Sequence, residues 1–269
     1  MSIIKARRSQ AYKDFTHYLS IPLATRSSRP HLNASFARFE RETSAKIPKG
    51  SVQNPDFVTL GLGRLKLNSK DRVDACLKHL HGLDMHEMLR VAAVNAIGRQ
   101  PDFQSLPYEG ATPHAFGVAT TIDFSPLKVD VSGISCSHPS HAVFLGSSVI
   151  DRTHWLQHFQ HILLNSLFKA GFLVNAFHNQ VGVVNTGLPS TWGHKRVYDR
   201  KTGRWYSPGR PRTPQFDARD LIQEWRDHDW VTNIQLEKLC VHGLGSRERL
   251  PDGGAREKRK TEIDSIALP

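Results

Sequence analysis

Apolar and polar residues alternate with period two through "HYLSIPLAT", residues 17–25, and again through "DFVTLGLGRLKL", residues 56–67. Successive side chains on a strand point to opposite faces, so each stretch predicts a strand with one buried side. Between them the period changes: Leu32, Phe36 and Phe39 in "HLNASFARFERET" recur at helical spacing. After the second strand, "NSKDRVDACLKHL" puts Val73, Cys76, Leu77 and Leu80 on one helical face, with Ser69 as the N-cap candidate. "HEMLRVAAVNAIGRQ" fits a short helix or a strand, and "PLKVDVSGI" and "HAVFLGSSVI" predict strands. Residues 153–170 carry the clearest helical stripe, through Trp155, Phe159, Ile162, Leu163 and Leu167. Gly171 follows as a stop, with "FLV" turning out of the helix. "NQVGVVNTGL" predicts a strand by its β-branched content, "FDARDLIQEWRDHDW" a helix, and "TNIQLEKLCVHGL" one closing strand.

Periodicity stops between Gly187 and Thr213, where glycine, proline and arginine dominate, and an exposed loop or extended hairpin is expected. From Ser246 onward the chain turns polar and is expected to be disordered; "REKRK" within it suits a nuclear localisation signal or a solvated tail. Residues 1–16 are then a basic lead-in, 17–245 one domain containing the loop 187–213, and 246–269 a tail. The domain has two similar halves of strands and helices, a pattern that predicts an α+β fold with pseudo-two-fold organisation.

Composition narrows the function classes. A hydrophobic fraction of 39% in 269 residues supports a buried core. No apolar run reaches the roughly 18–20 residues that cross a bilayer, and the N-terminus lacks the apolar block of a secretory signal. Three separated cysteines, Cys76, Cys136 and Cys240, form no disulfide framework and suit a reducing compartment. These features predict a cytoplasmic or nuclear protein without membrane association, and Cys240 as a small core residue. The formal net charge of +11 points towards a polyanionic partner.

The segments "HYLSIPLAT…SRPHLNASFARF", "VTLGLGRLKLNSKDRVDACLKHL", "PLKVDVSGI", "VVNT" and "FDARDLIQEW…IQLEKLCVHGLG" occur in an order that resembles the two-histidine (2H) phosphoesterases. Within them the chain is most similar to the LigT-like A-kinase-anchor-protein-like phosphoesterase domain, from about Tyr18 to about Gly245. The resemblance implies a bilobal fold: two pseudo-symmetric antiparallel sheets, with flanking helices, around a central groove. It also implies two His-x-Thr motifs facing each other across that groove. There the histidines act as general acid and base on a phosphodiester and the threonines hold phosphate oxygens, with no metal and no cofactor. Histidine suits this because its ring titrates near neutral pH.

Carried over, the first motif falls on "FVTLG", with Phe57 in place of histidine and Thr59 retained. The second falls on "QVG", with Gln180 in place of histidine and Gly182 in place of threonine. Phenylalanine exchanges no proton, glutamine does not titrate and glycine has no hydroxyl. A positioned acid or base contributes about 10²–10⁴-fold, so the pattern implies a pseudoenzyme in which Phe57 fills the site. His178, two residues before Gln180, points to the same side of a regular strand and is the substitute candidate.

Two further clusters are weighed as metal sites. His154, His158 and His161 have i, i+4, i+7 spacing, but their helix commits its stripe to the core, so a solvated or partly packed face is expected. Cys136, His138 and His141 in "CSHPSH" lack a second ligand cluster and read as a loop. The basic loop is more informative. Lys195, Arg196, Arg200, Lys201, Arg204, Arg210 and Arg212 stand against Asp199 alone, with Trp192, Tyr198, Trp205 and Tyr206 interleaved. Cations for phosphates and aromatic faces for bases suit single-stranded nucleic acid.

The leading expectation is thus a monomeric, catalytically degenerate protein that binds RNA or a phosphorylated small molecule. Thr59, Lys195, Arg196, Arg200, Lys201, Arg204, Trp205 and Tyr206 are its candidate contacts. The alternatives are a metal-independent 2′,3′-cyclic phosphodiesterase acting on RNA ends through His178, and a scaffold for a protein partner.

Overall fold

The computed structural model describes residues 15–98, 126–177, 180–186, 197–199, 204–206, 215–243, 247–249, 255–257 and 261–269. β1 (His17–Pro22) leads into α1 (Arg29–Thr43), whose buried residues Leu32, Phe36 and Phe39 are the predicted stripe. A 3-10 turn (Pro55–Phe57) precedes β2 (Thr59–Leu65). Then come α2 (Lys70–His81), capped by the Ser69 hydroxyl accepting from Arg72 N–H, and α3 (Met85–Gly98). β3 (Lys128–Ser135) and β4 (Phe144–Ile150) precede α4 (Trp155–Lys169). Gly171, at φ +74, ends α4 in a Schellman turn in which its N–H reaches Phe168 O and Phe172 N–H reaches Leu167 O, both at 2.9 Å.

β5 (Leu173–Ala176) and β6 (Gln180–Asn185) follow, then the short hairpin of β7 (Val197–Asp199) and β8 (Arg204–Tyr206). The chain continues through α5 (Arg219–Glu224), β9 (Asp229–Gln235) and β10 (Lys238–Gly243). β11 (Arg247–Arg249), β12 (Ala255–Glu257) and β13 (Thr261–Ala267) complete it.

Two antiparallel sheets organise these elements, one in the order β13-β10-β1-β2-β5 and the other β6-β4-β3-β9. The sheets are not the two halves of the chain, because β5, β10 and β13 return to the sheet begun by β1 and β2. Helix α1 lies against β9, where Ser35 Oγ donates to Trp230 O at 2.8 Å. Trp230, Phe36, Phe39 and Trp225 interlock there with ring centroids 4.8–5.8 Å apart. Gly133, at φ +62, lets β3 pass this cluster, since a Cβ there would stand 2.5 Å from Arg226 O.

The structure corrects four expectations. "FLV" does not merely turn; it starts β5, an edge strand paired with β2. The closing strand is two strands in different sheets, with Leu236 and Glu237 carrying the chain across. Alternation persists through Ile234 and Leu236, so periodicity alone conceals the crossing. The helix from "FDARDLIQEWRDHDW" is only Arg219–Glu224, because Trp225 is buried in the turn leading to β9. Finally, residues 261–267 of the polar tail form β13. That edge strand is held by backbone pairing to β10, by Lys238–Glu262 at 2.7 Å and by His81–Asp264 at 2.6 Å. An edge strand needs few apolar side chains, which is why its sequence looks like tail.

Candidate functional site

The start of β2 is brought to β6 by the segment before it. Gln53 N–H donates to Val183 O and Asn185 N–H to Ser51 O, both at 2.8 Å, so residues 51–53 lie alongside β6. The chain then turns at Pro55–Phe57 and enters the other sheet as β2, which places β2 and β6 at the junction of the sheets.

Phe57 is the last residue of this 3-10 turn and not a strand residue. Asn54 shapes the turn, its carbonyl accepting from Phe57 N–H at 3.0 Å and its side chain from Asp56 N–H at 2.9 Å. The Phe57 side chain is 49% exposed, so it borders the junction instead of plugging it. The strand begins at Thr59, half-buried and paired with Pro22.

On β2, Leu60, Leu62 and Leu65 are buried in the core. A register shift opposite Leu19/Ser20 skips Leu62, and past it Gly63 also faces the core, where a Cβ would stand 2.7 Å from Leu173 Cδ1. The face away from the core therefore carries Thr59, Gly61 and Arg64. Phe177 roofs Gly61, its Cδ2 being 3.0 Å from where a Cβ would stand. The Arg64 guanidinium lies 4.8 Å from the Phe177 ring centre and 4.9 Å from that of Phe15.

Next to Arg64 across the sheet, Tyr18 stacks on His242 at 4.7 Å. Burial raises the Tyr18 hydroxyl well above its ordinary range and pushes the Cys240 thiol up to about 12. Cys240 is fully buried, as expected, but it stands outside the apolar cluster, between the cross-strand partners Ser20 and Ser265. A thiol held up in this way is not a nucleophile at neutral pH.

β6 turns Val181, Val183 and Val184 into the core. Gln180 is exposed and its Nε2 reaches Ser135 Oγ at 3.4 Å. Gly182 pairs with Gly146 of β4. The ring of Phe144 lies across both glycines, with Cε2 3.2 Å from a Cβ at Gly182 and Cε1 3.1 Å from one at Gly146. Gly182 is thus beneath an aromatic ring.

Of the other predicted residues, His178, Lys195, Arg196, Arg200 and Lys201 lie outside the described residues. Arg204, Trp205 and Tyr206 form β8, opposite β7. Of the two expectations for the histidine row, packing holds: His158 and His161 are buried, and burial lowers the His161 pKa. Cys136 precedes the Pro139–His141 turn, which the Ala142–Phe216 bridge pins. Among the described residues no cluster of histidine, cysteine or acidic groups has metal-holding geometry, and no helix is long and apolar enough to cross a membrane.

Sequence reasoning missed Phe144, Ser135, Arg64 and the Tyr18–His242 pair. The Phe-x-Gly spacing in "VFLG" was the available signal for Phe144, and it means something only once Gly146 is known to face Gly182.

No family profile and no curated protein matches the chain in sequence. Among solved structures, E. coli LigT complexed with 3′-AMP is 11% identical, with a TM-score of 0.41 over 94% of this chain and 98% of that one. LigT complexed with NADP+ gives 11% and 0.38 at the same coverage, and a crystal structure of a phosphoesterase gives 12% and 0.40.

Proposed function

We propose that this chain is a 2H-phosphoesterase-like protein that has given up acid–base catalysis and binds RNA or another phosphorylated ligand at the junction of its two sheets. The observation that carries the reading is the Phe144 ring over Gly182. A Cβ at 182 would stand 3.2 Å from that ring, so in this reading the strand carries an aromatic cover in place of a phosphate-holding hydroxyl. The exposed phenyl ring at Phe57 and the amide of Gln180 agree with it, since neither group exchanges a proton at neutral pH. Thr59, with the cations of the 187–213 loop, supplies the phosphate contacts in this reading.

The test is turnover of RNA ending in a 2′,3′-cyclic phosphate, beside a Phe57→His/Gln180→His/Gly182→Thr variant. The expected result is no product from the unmodified protein. Turnover that His178→Ala abolishes would overturn the reading in favour of a phosphodiesterase. In binding assays, RNA affinity is expected to fall steeply with salt, with a shallower slope after charge removal at Arg200, Lys201 and Arg204. Absence of RNA binding at low salt would point to a protein-binding scaffold.

A further inference from the structure

We propose that Phe144 is a stacking platform for a nucleobase and that Gln180 hydrogen-bonds the edge of that base. This rests on the nucleotide- or RNA-binding reading and adds which part of the ligand meets the second motif strand. Phe144 is 39% exposed although β4, whose first residue it is, is an interior strand beside β6. The glycine pair beneath it lets the ring lie closer to the backbone than side chains at 146 and 182 would allow, and its outer side is open.

The chemistry around the ring selects a base over a phosphate. Neither β4 ("FLGSSVI") nor β6 ("QVGVVN") contains a charged residue. Gln180 pairs across with Ser148, which pairs with Ser132, and its amide reaches Ser135. Amide and hydroxyl groups both donate and accept, matching the neutral, mixed edge of a nucleobase, and neither strand offers a cation to balance phosphate charge. An open aromatic face beside neutral hydrogen-bonding groups is the arrangement by which sheets hold unpaired bases. The cations proposed for phosphate come instead later in the sequence, between Lys195 and Arg212.

The experiment compares binding of a short fluorescein-labelled single-stranded RNA with that of an equally long, equally labelled abasic sugar–phosphate oligomer. Both are titrated at low salt against the unmodified protein, Phe144→Leu and Phe144→Trp. The unmodified protein is expected to prefer RNA by about tenfold or more, Phe144→Leu to lose that preference, and Phe144→Trp to keep it. If RNA binds but Phe144→Leu binds it equally well, the platform is refuted while the phosphate-binding reading stands. If neither oligomer binds the unmodified protein, both fall. Circular dichroism establishes that Phe144→Leu is folded. Should it not fold, the abasic comparison on the unmodified protein decides alone, equal affinity overturning the platform.

Discussion

Each motif strand has a glycine under a phenylalanine, but the two rings are held differently. Phe177 roofs Gly61 on β2 and has the Arg64 guanidinium 4.8 Å from its ring centre. Phe144 roofs Gly182 and Gly146 and has its outer side exposed. The same local device, an aromatic ring filling the space a side chain would take, is closed by a cation in one sheet and left available in the other. A glycine in a motif strand is therefore not equivalent to a missing catalytic group; what covers it decides what the strand can do.

The comparison can be broken at its strongest point first. Gly63→Ala drives a methyl to 2.7 Å from Leu173 and 3.2 Å from Asn175 O, so overpacking is expected to cost about 2 kcal/mol by urea unfolding. Gly61→Ala pushes on a ring that Arg64 backs, and should cost about 1 kcal/mol. Adding Arg64→Ala should shrink that penalty, and additive losses in the double-mutant cycle would contradict the pinning of Phe177. Acid comes next. Burial lowers the pKa of His17, His161 and His228 below 6.5, so below that value the unfolded chain binds more protons than the folded one. Stability should be full above pH 6.5 and fall progressively beneath it; a constant urea midpoint between about pH 7.5 and pH 5.5 would refute this. Gly182→Ala is the smallest effect. It meets an exposed, displaceable ring and removes backbone entropy from the unfolded strand, so its cost should lie within about 0.5 kcal/mol of zero. A loss as large as that of Gly61→Ala would mean the two rings are held alike.

How much was legible in sequence varies by element. The α1 stripe, β1, β2 and the Gly171 stop followed from period and capping, because local sterics and amphipathicity dictate them. β13 was not legible, since it is held by pairing with β10 and by charged side chains reaching Lys238 and His81, which leave no periodic apolar signal. Phe57 and Thr59 were singled out by the family resemblance, which did not show that the strand begins only at Thr59. Phe144 was hidden for a different reason. Its role depends on Gly182 lying opposite Gly146, a register between strands separated by the whole of α4.

Residue types by themselves determined that Phe57, Gln180 and Gly182 hold no titrating group or hydroxyl for acid–base work, because that is a property of the side chain and not of its surroundings. Only the tertiary structure decided that Phe57 borders the junction exposed and that Phe144 covers Gly146 and Gly182. Exposure and cross-strand contact arise from how distant segments pair, and no local pattern in the chain encodes that pairing.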